Sequence, residues 1–187
     1  DCKAAEKKLV KAASKVYKKF LASCPAPDAP GSKQVTALMT ITGLIDAPKA
    51  DKEFLSINGA QGFSTFYGYY MLEAMAMAGN YQGALDVIRE YWGAMIDLGA
   101  TSFWEDFDIN WIPNAAPIDE LVPEGKKDIH GDCGAYCYVG FRHSLCHGWA
   151  SGPTSWLSRH ILGVEVIEPG CRQVRITPHL GDLQWVK

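Results

Sequence analysis

The chain has 187 residues and a formal net charge of −3 at neutral pH. Hydrophobic residues make up 48% of it and charged residues 21%, which is typical of a globular protein and excludes an intrinsically disordered one. The slightly acidic balance gives no reason to expect a nucleic-acid partner. No apolar run approaches the ~20 residues that span a bilayer, so no membrane partner is expected.

The N-terminal region predicts an amphipathic helix over residues 3–22, followed by a proline-rich loop over 25–31. The apolar face of this helix is expected to consist of Leu9, Ala13, Val16, Tyr17 and Phe20.

A second helix is predicted from an N-cap at Ser32 to about Ile45, with Asp46 to Pro48 marking its end. Its apolar face is expected to consist of Val35, Leu38, Met39 and Thr42.

Two further helices are predicted over about 63–79 and from Tyr81 to Leu98. Gly79 and Asn80 end the first of them, so the link is short and the two helices should form an antiparallel hairpin. The inward side chains of the second helix are expected to be Leu85, Ile88, Trp92, Met95 and Ile96.

Residues 100–142 show no periodicity, and so long an irregular segment is usually functional or disordered. Its aromatic residues, Phe103, Trp104, Phe107 and Trp111, argue against disorder. A fifth helix is predicted from about Thr154 to Leu162. After Gly163 the apolar period becomes two, which indicates β-strands. The predicted strands are 164–167, 174–176 and 184–186.

These elements predict a mainly α fold in which helical hairpins form part of a toroid that leads into a small sheet. We assign residues 1–162 to the helical domain and 163–187 to the start of a β domain. Half a toroid would expose its apolar stripes to water. We therefore expect the chain to be part of a larger protein, with the other half of the toroid upstream.

The first chemical motif covers residues 100–108 and contains three carboxylates, Glu105, Asp106 and Asp108, among the aromatic residues Phe103 and Trp104. Sugar hydrolysis uses carboxylates to activate water and aromatic rings to stack on the sugar. Composition alone favours an ordinary acidic surface loop with the aromatic residues in the core.

The second motif covers residues 144–154, with His147 and Trp149 two positions apart and glycines at 148 and 152. In an extended segment these two side chains would share a face. A histidine there suits a sugar hydroxyl or an anionic catalytic group. A histidine buried in the core is the alternative interpretation.

A metal site is conceivable around Cys133, Cys137, Cys146 and His147, but no second ligand pair has the spacing of a zinc motif. We therefore expect no metal and no cofactor, and interpret the six cysteines as buried thiols or a disulfide.

Both motifs resemble segments of the bacterial α-L-rhamnosidases, glycoside hydrolase family 78. Residues 91–105 are similar to the segment that delivers the catalytic base in that family, and residues 144–154, continuing to 162–164, are similar to its next helix. Residues 168–170 and 176–179 resemble the entry into its C-terminal β-sandwich. The resemblance implies that the helices belong to an (α/α)6 barrel, a six-hairpin fold.

The family resemblance implies inverting hydrolysis of terminal α-L-rhamnosides, with Glu105 as the general base. It also implies that His147 binds a substrate hydroxyl and that Trp104 forms part of the pocket wall. We take Trp149 and Asp106, which belong to the same two motifs, as further candidate substrate-binding residues.

An inverting enzyme needs a second carboxyl group roughly 6.5–9.5 Å from the first. The family supplies it from an acidic segment well upstream, and no such segment precedes Glu105 here. Asp106 and Asp108 are chain neighbours of Glu105 and are poorly placed to reach across a sugar ring. We therefore expect the general acid to lie outside this chain, and the chain alone to be inactive.

The connection from Glu105 to His147 is longer than is usual in the family, and its extra residues at 109–142 could change the specificity. Two other interpretations stay open: a carbohydrate-binding relative without catalysis, in which Trp104, Trp111 and Trp149 stack on sugars, and a structural helical domain. The compartment is not determined, so both a periplasmic or extracellular and a cytoplasmic location remain open.

Overall fold

The computed structural model describes residues 32–128 and 144–187, together with positions 5, 7–9, 11, 12, 15, 16 and 19. Those positions near the N-terminus are helical, as predicted. Leu9 and Val16, assigned to the apolar face of this helix, are 70% and 68% exposed. Ala13, Tyr17, Phe20 and the predicted loop over 25–31 lie outside the described residues. The expected apolar face is therefore exposed at both of its described positions.

Helix α1 covers Lys33–Ile41 and begins where the sequence predicted. The hydroxyl of Ser32 accepts a hydrogen bond from the amide of Val35 at 3.3 Å, which pairs one of the amides left free at a helix N-terminus. The helix ends earlier than the predicted Ile45, because Gly43 follows its C-cap with a φ of 75°.

The buried face of α1 differs from the predicted one. It consists of Thr36, Ala37 and Thr40. Thr36 and Thr40 donate their hydroxyls to carbonyl oxygens one turn earlier, at 2.9 and 2.8 Å, so they are buried without losing a hydrogen bond. The predicted face was Val35, Leu38, Met39 and Thr42. This prediction is wrong, since Val35 is 47% exposed and Leu38 is also exposed.

Helix α2, Ala47–Ala50, is short and continues as a π-helical turn over Asp51–Leu55. The side chain of Asp46 caps it by accepting a hydrogen bond from the amide of Lys49 at 3.1 Å. The segment predicted to end the preceding helix therefore starts a new one.

Helices α3, Gly68–Met77, and α4, Tyr81–Asp97, contact each other and are joined by residues 78–80, which confirms the predicted hairpin. The side-chain oxygen of Asn80 accepts a hydrogen bond from the amide of Gly83 at 2.9 Å and so caps α4. Helix α3 begins later than predicted, since residues 63–67 do not form regular helix.

The inward face of α4 is largely as predicted. Leu85, Trp92 and Met95 are buried, and Ile88 is partly buried against the core. The prediction for Ile96 is wrong, because this side chain is 68% exposed. Adjacent helical residues are about 100° apart around the axis, so Ile96 cannot share the direction of Met95.

The segment between α4 and residue 128 has little regular structure, as predicted. It contains a 3-10 turn over Ile109–Trp111 and two short parallel strands, β1, Ala115–Ala116, and β2, Lys127–Asp128. The rest of the irregular segment, residues 129–143, lies outside the described residues.

Helix α5, Gly152–Trp156, continues as a π-helical turn over Leu157–Ile161. Together they account for the helix predicted from Thr154 to Leu162. Gly152 lies so close to α3 that a Cβ atom on it would be 2.7 Å from the Cβ of Tyr69. A glycine at this position therefore lets α5 pack tightly on α3.

Two of the three predicted strands are present. β3, Val164–Glu168, and β4, Gln173–Ile176, form an antiparallel hairpin. The third prediction is wrong, because residues 184–186 form no strand. Val186 packs partly against the helical core instead of joining a β-ladder.

Helix α3 lies at the centre of the described fold and contacts α1, α4 and α5. The described part of the chain is mainly helical, which confirms the predicted class. The (α/α)6 barrel and the larger parent protein stay predictions. None of the helices in the described ranges is long and apolar enough to cross a membrane.

The segment after β4 returns to α4. His179 stacks on Tyr81 with ring centroids 3.8 Å apart, and Arg89 binds both carboxylate oxygens of Asp182 at 2.8 and 3.0 Å. That ion pair holds the pKa of Asp182 below its usual value. The division into domains at residues 162 and 163 stays a prediction.

Candidate functional site

The two motifs singled out in the sequence are directly hydrogen-bonded to each other. The amide of Glu105 donates to the carbonyl oxygen of Ser144 at 2.8 Å, and the amide of His147 donates to the carbonyl oxygen of Phe103 at 2.7 Å. Main-chain hydrogen bonds of this kind fix the spacing of two irregular segments. The fold thus brings Glu105 and His147 into one site.

Glu105 is half-buried as a residue, and its Oε2 atom accepts a hydrogen bond from the amide of Ser144 at 2.7 Å. Within residues 32–128 and 144–187, Glu105 forms no ion pair. An amide donor orients a carboxylate through a short charge-assisted hydrogen bond. The side chain is therefore held in one direction by main-chain atoms of the second motif.

The carbonyl oxygen of Glu105 accepts two side-chain hydrogen bonds. The buried hydroxyl of Thr65 donates to it at 2.5 Å, and the indole Nε1 of Trp149 donates to it at 2.7 Å. Thr65 precedes α3, and Trp149 precedes α5. Glu105 is therefore anchored between the N-terminal ends of two packed helices.

His147 and Trp149 lie together, as the sequence predicted, but in a turn rather than in an extended segment. Their ring centroids are 4.2 Å apart with the planes tilted by 32°. The amide of Trp149 donates to Nδ1 of His147 at 3.4 Å, at the start of the 3-10 turn Gly148–Ala150. A neutral imidazole that accepts at Nδ1 carries its proton on Nε2, so Nε2 is the donor available to a ligand.

Trp104 lies beneath the motif loop rather than on its surface. Its side chain is fully buried and packs edge-on against Phe107 with centroids 6.0 Å apart. Its Nε1 atom has no hydrogen-bond partner within the described part of the chain. The geometry gives Trp104 a supporting position under Glu105.

The other two acidic residues of the motif have different surroundings. Asp106 is half-buried. Asp108 caps the 3-10 turn, with its Oδ1 atom accepting a hydrogen bond from the amide of Asn110 at 2.8 Å. The role of Asp108 is therefore structural: it caps this turn.

A groove of about 440 Å³ opens beside this site, between α3 and α5. We call it the α3–α5 groove. It is lined by Phe66, Tyr69, Tyr70, Gly148, Trp149, Ser151, Gly152, Thr154, Ser155 and Ser158. Trp149 therefore borders the groove while it also contacts Glu105.

The aromatic wall of the groove was missed in the sequence. Phe66 lies 5.6 Å from Trp149 and 5.8 Å from Tyr70, measured between ring centroids. The available signal was the run Phe66-Tyr67-Gly68-Tyr69-Tyr70. Four aromatic residues in five consecutive positions point in several directions, so they do not all pack on one neighbour.

A charged cluster lies behind the groove. The carboxylate of Glu73 binds Nε2 of His160 at 3.0 Å and lies 3.8 Å from the guanidinium of Arg159. Burial, followed by the charge of Glu73, raises the pKa of the Tyr69 hydroxyl, while a hydrogen bond with Arg159 opposes the rise. Tyr69 therefore stays protonated and can donate a hydrogen bond.

The described residues contain no group of three or more side chains suited to holding a metal ion. Cys146 is an exposed free thiol, and Cys133 and Cys137 lie outside the described residues. The expectation that the protein uses no metal stays a prediction.

No protein-family model matches the chain, and no curated protein matches it. The relation to the α-L-rhamnosidases and the roles it implies are therefore carried forward as a proposal.

Proposed function

We propose that this chain is the C-terminal part of an inverting glycoside hydrolase that releases terminal α-L-rhamnose from glycosides. The observation that carries the proposal is the carboxylate of Glu105, which the amide of Ser144 holds at 2.7 Å in the segment that also contains His147 and Trp149. A fixed carboxylate next to aromatic rings is one part of the arrangement that sugar hydrolysis uses, and a second carboxyl group completes it.

In the proposed reaction Glu105 takes a proton from a water molecule as the water oxygen attacks the anomeric carbon. The bond from that carbon to the leaving oxygen breaks, and a carboxylic acid outside this chain protonates the leaving oxygen. The attack occurs on the face opposite the departing group, so the configuration is inverted. The role of Glu105 is that of a general base, and no cofactor takes part.

The neighbouring side chains have separate roles in this proposal. His147 donates from Nε2 to a sugar hydroxyl, and Trp149 stacks on the C–H face of a ring. Asp106 accepts a hydrogen bond from the sugar. The buried side chain of Trp104 packs beneath the loop that carries Glu105 and supports it.

The experiment is the substitution Glu105→Gln in the full-length protein. We expect kcat on an aryl α-L-rhamnoside to fall by about 10²–10⁴-fold, because general-base catalysis is lost. KM should change little, because glutamine keeps the shape of the side chain. Glu120→Gln, in an exposed loop position, is the matched control and should retain normal turnover. Normal turnover by Glu105→Gln would show that Glu105 is not the general base.

A second candidate function is carbohydrate binding without bond cleavage. The observation that favours it is the α3–α5 groove, where aromatic rings and hydroxyl groups meet as in many sugar-binding sites. This function predicts measurable rhamnose binding by the full-length protein with no release of phenol from the aryl glycoside. Phenol release that depends on Glu105 would exclude it.

A further inference from the structure

We infer that Thr65 is a positioning residue for the proposed general base. Its buried hydroxyl acts through the main chain of Glu105 and sets the place from which the carboxylate reaches a water molecule. The inference rests on the proposed function, because it takes Glu105 as the base. It adds a residue from a third segment of the chain, outside both motifs, to the site.

The side chain of Thr65 is buried against the loop that carries Glu105. Only 3% of Thr65 is exposed, and its Oγ1 atom donates a hydrogen bond to the carbonyl oxygen of Glu105, 40 positions further along the chain. A buried hydroxyl without a partner is costly, so the packing of Thr65 favours a loop position in which this hydrogen bond forms. The hydroxyl thus links the place of the base to the packing at the start of α3.

Thr65 is itself well anchored. The amide of Gly68, the first residue of α3, donates to the carbonyl oxygen of Ser64 at 2.8 Å and closes a turn around Thr65. A Cβ atom on Gly68 would lie 2.7 Å from the indole ring of Trp92 in α4, so this turn packs directly on the neighbouring helix. Thr65 therefore holds the loop from a fixed point of the helical core.

A second buried hydroxyl holds the same loop two residues further on. The hydroxyl of Tyr91, in α4, donates to the carbonyl oxygen of Phe107. Only Asp106 lies between the two carbonyl groups that these hydroxyls bind. Loss of the hydrogen bond from Thr65 should therefore displace Glu105 while Phe107 stays in place.

Trp149 also donates to the carbonyl oxygen of Glu105, at 2.7 Å, but its ring is 44% exposed and is proposed to stack on the sugar. A change at Trp149 would therefore alter substrate binding and the position of the base together. Thr65 is buried and does not line the α3–α5 groove. A change at Thr65 thus reaches the substrate only through Glu105.

The test replaces Thr65 by valine in the full-length protein. Valine keeps the branched shape of threonine but cannot donate a hydrogen bond. We expect kcat on an aryl α-L-rhamnoside to fall about tenfold with KM little changed, because a displaced base slows the reaction without removing contacts to the substrate. Thr65→Ser keeps a hydroxyl and should restore most of kcat. A kcat of Thr65→Val within about twofold of that of the unmodified protein would overturn the inference.

Thr40→Val provides the comparison for a purely structural effect. Thr40 is 1% exposed and donates its hydroxyl to the carbonyl oxygen of Thr36 within α1, so the same substitution removes a buried hydrogen bond that does not involve the loop. It should leave kcat unchanged, and an equal fall of kcat in both variants would overturn the inference. In Glu105→Gln, adding Thr65→Val should change kcat by less than about twofold, because no base remains to be positioned. A further tenfold loss there would also overturn it.

Amide hydrogen exchange distinguishes a failure of this inference from a failure of the proposed function. Thr65→Val should speed exchange at the amides of Glu105 and Ser144 about tenfold relative to Thr40→Val, because the hydrogen bonds between the two motifs hold both amides. Unchanged exchange would overturn the inference even if Glu105→Gln is inactive. Faster exchange in a protein that cleaves no rhamnoside would support the anchoring of Glu105 by Thr65 and contradict only the proposed function.

Discussion

Glu105 and Ser144 bind each other through two hydrogen bonds that run in opposite directions. The amide of Glu105 donates to the carbonyl oxygen of Ser144 at 2.8 Å, and the amide of Ser144 donates to the carboxylate of Glu105 at 2.7 Å. One residue thus fixes both the main chain and the side chain of the proposed base. Among the described residues, a main-chain amide holds the carboxylate, which forms no ion pair with them.

The first prediction concerns this amide. Ser144→Pro removes the N–H group that holds the carboxylate, so we expect kcat in the full-length protein to fall about tenfold or more. Ser144→Ala keeps the amide and both main-chain hydrogen bonds and should retain most of the activity. Steady-state kinetics of the two variants checks this prediction. Equal activity of the proline and alanine variants would show that the amide does not orient the base.

The second prediction concerns the support beneath Glu105. Trp104→Ala should lower the free energy of unfolding by about 3–5 kcal/mol, because it leaves a large cavity under the loop. Trp104→Phe should cost much less, since it keeps a ring and removes an indole N–H that is unpaired within the described residues. Denaturant unfolding measures both values. Similar losses in the two variants would contradict a packing role.

The third prediction concerns the start of the β-hairpin. A Cβ atom on Gly163 would lie 1.9 Å from the carbonyl oxygen of Thr177, whereas a Cβ atom on Gly170 would meet nothing within 4 Å. Both glycines have positive φ, 70° and 73°, so alanine strains the backbone by about 1–2 kcal/mol at either position. The steric overlap adds to the strain only at Gly163.

We therefore expect Gly163→Ala to lower the free energy of unfolding by more than about 4 kcal/mol. Gly170→Ala should lower it only by the backbone strain of about 1–2 kcal/mol. Thermal unfolding of the two variants provides the comparison. Equal destabilisation would mean that the contact between residues 163 and 177 does not form in solution.

The fourth prediction concerns Lys33, whose ammonium group donates to the carbonyl oxygen of Gly59 at 2.5 Å. Burial lowers the pKa of Lys33 from 10.5 to about 8, although the charge of Glu90 opposes the shift. Between these two values the unfolded chain binds more protons than the folded one. The contribution of Lys33 to stability therefore rises as the pH increases from about 8 to 10.5.

This pH dependence is measured against Lys33→Met, which cannot titrate. We expect the stability of the unmodified protein, relative to the variant, to increase across that interval. A constant difference in stability at all pH values would show that Lys33 titrates normally in the folded protein.

Helix α4 was predictable because the sequence carries local signals for it, whereas the short helix α2 was not predicted. Helix α4 has a cap at Asn80 and a sustained apolar face, and its bounds were predicted to within a residue. The face of α1 was not predictable from hydrophobicity, because the hydroxyls of Thr36 and Thr40 are satisfied within the helix and so can be buried. The periodicity of apolar residues does not show which polar side chains form hydrogen bonds within their own helix and can therefore be buried.

The candidate site was predictable only as two separate motifs. The hydrogen bonds between Glu105 and Ser144 join loops that are distant along the chain, and no local pattern indicates such a pairing. The groove was missed because Phe66 and Tyr70 also fit a helical period, which does not distinguish a core face from an exposed aromatic wall.

The most direct test of the central claim is to identify the anomer of the sugar that the full-length protein releases first. Proton NMR identifies it during hydrolysis of an aryl α-L-rhamnoside. The account predicts that β-L-rhamnose appears first and that Glu105→Gln nearly abolishes its formation. Initial release of α-L-rhamnose, or an unchanged rate in Glu105→Gln, would contradict the claim that Glu105 activates the attacking water.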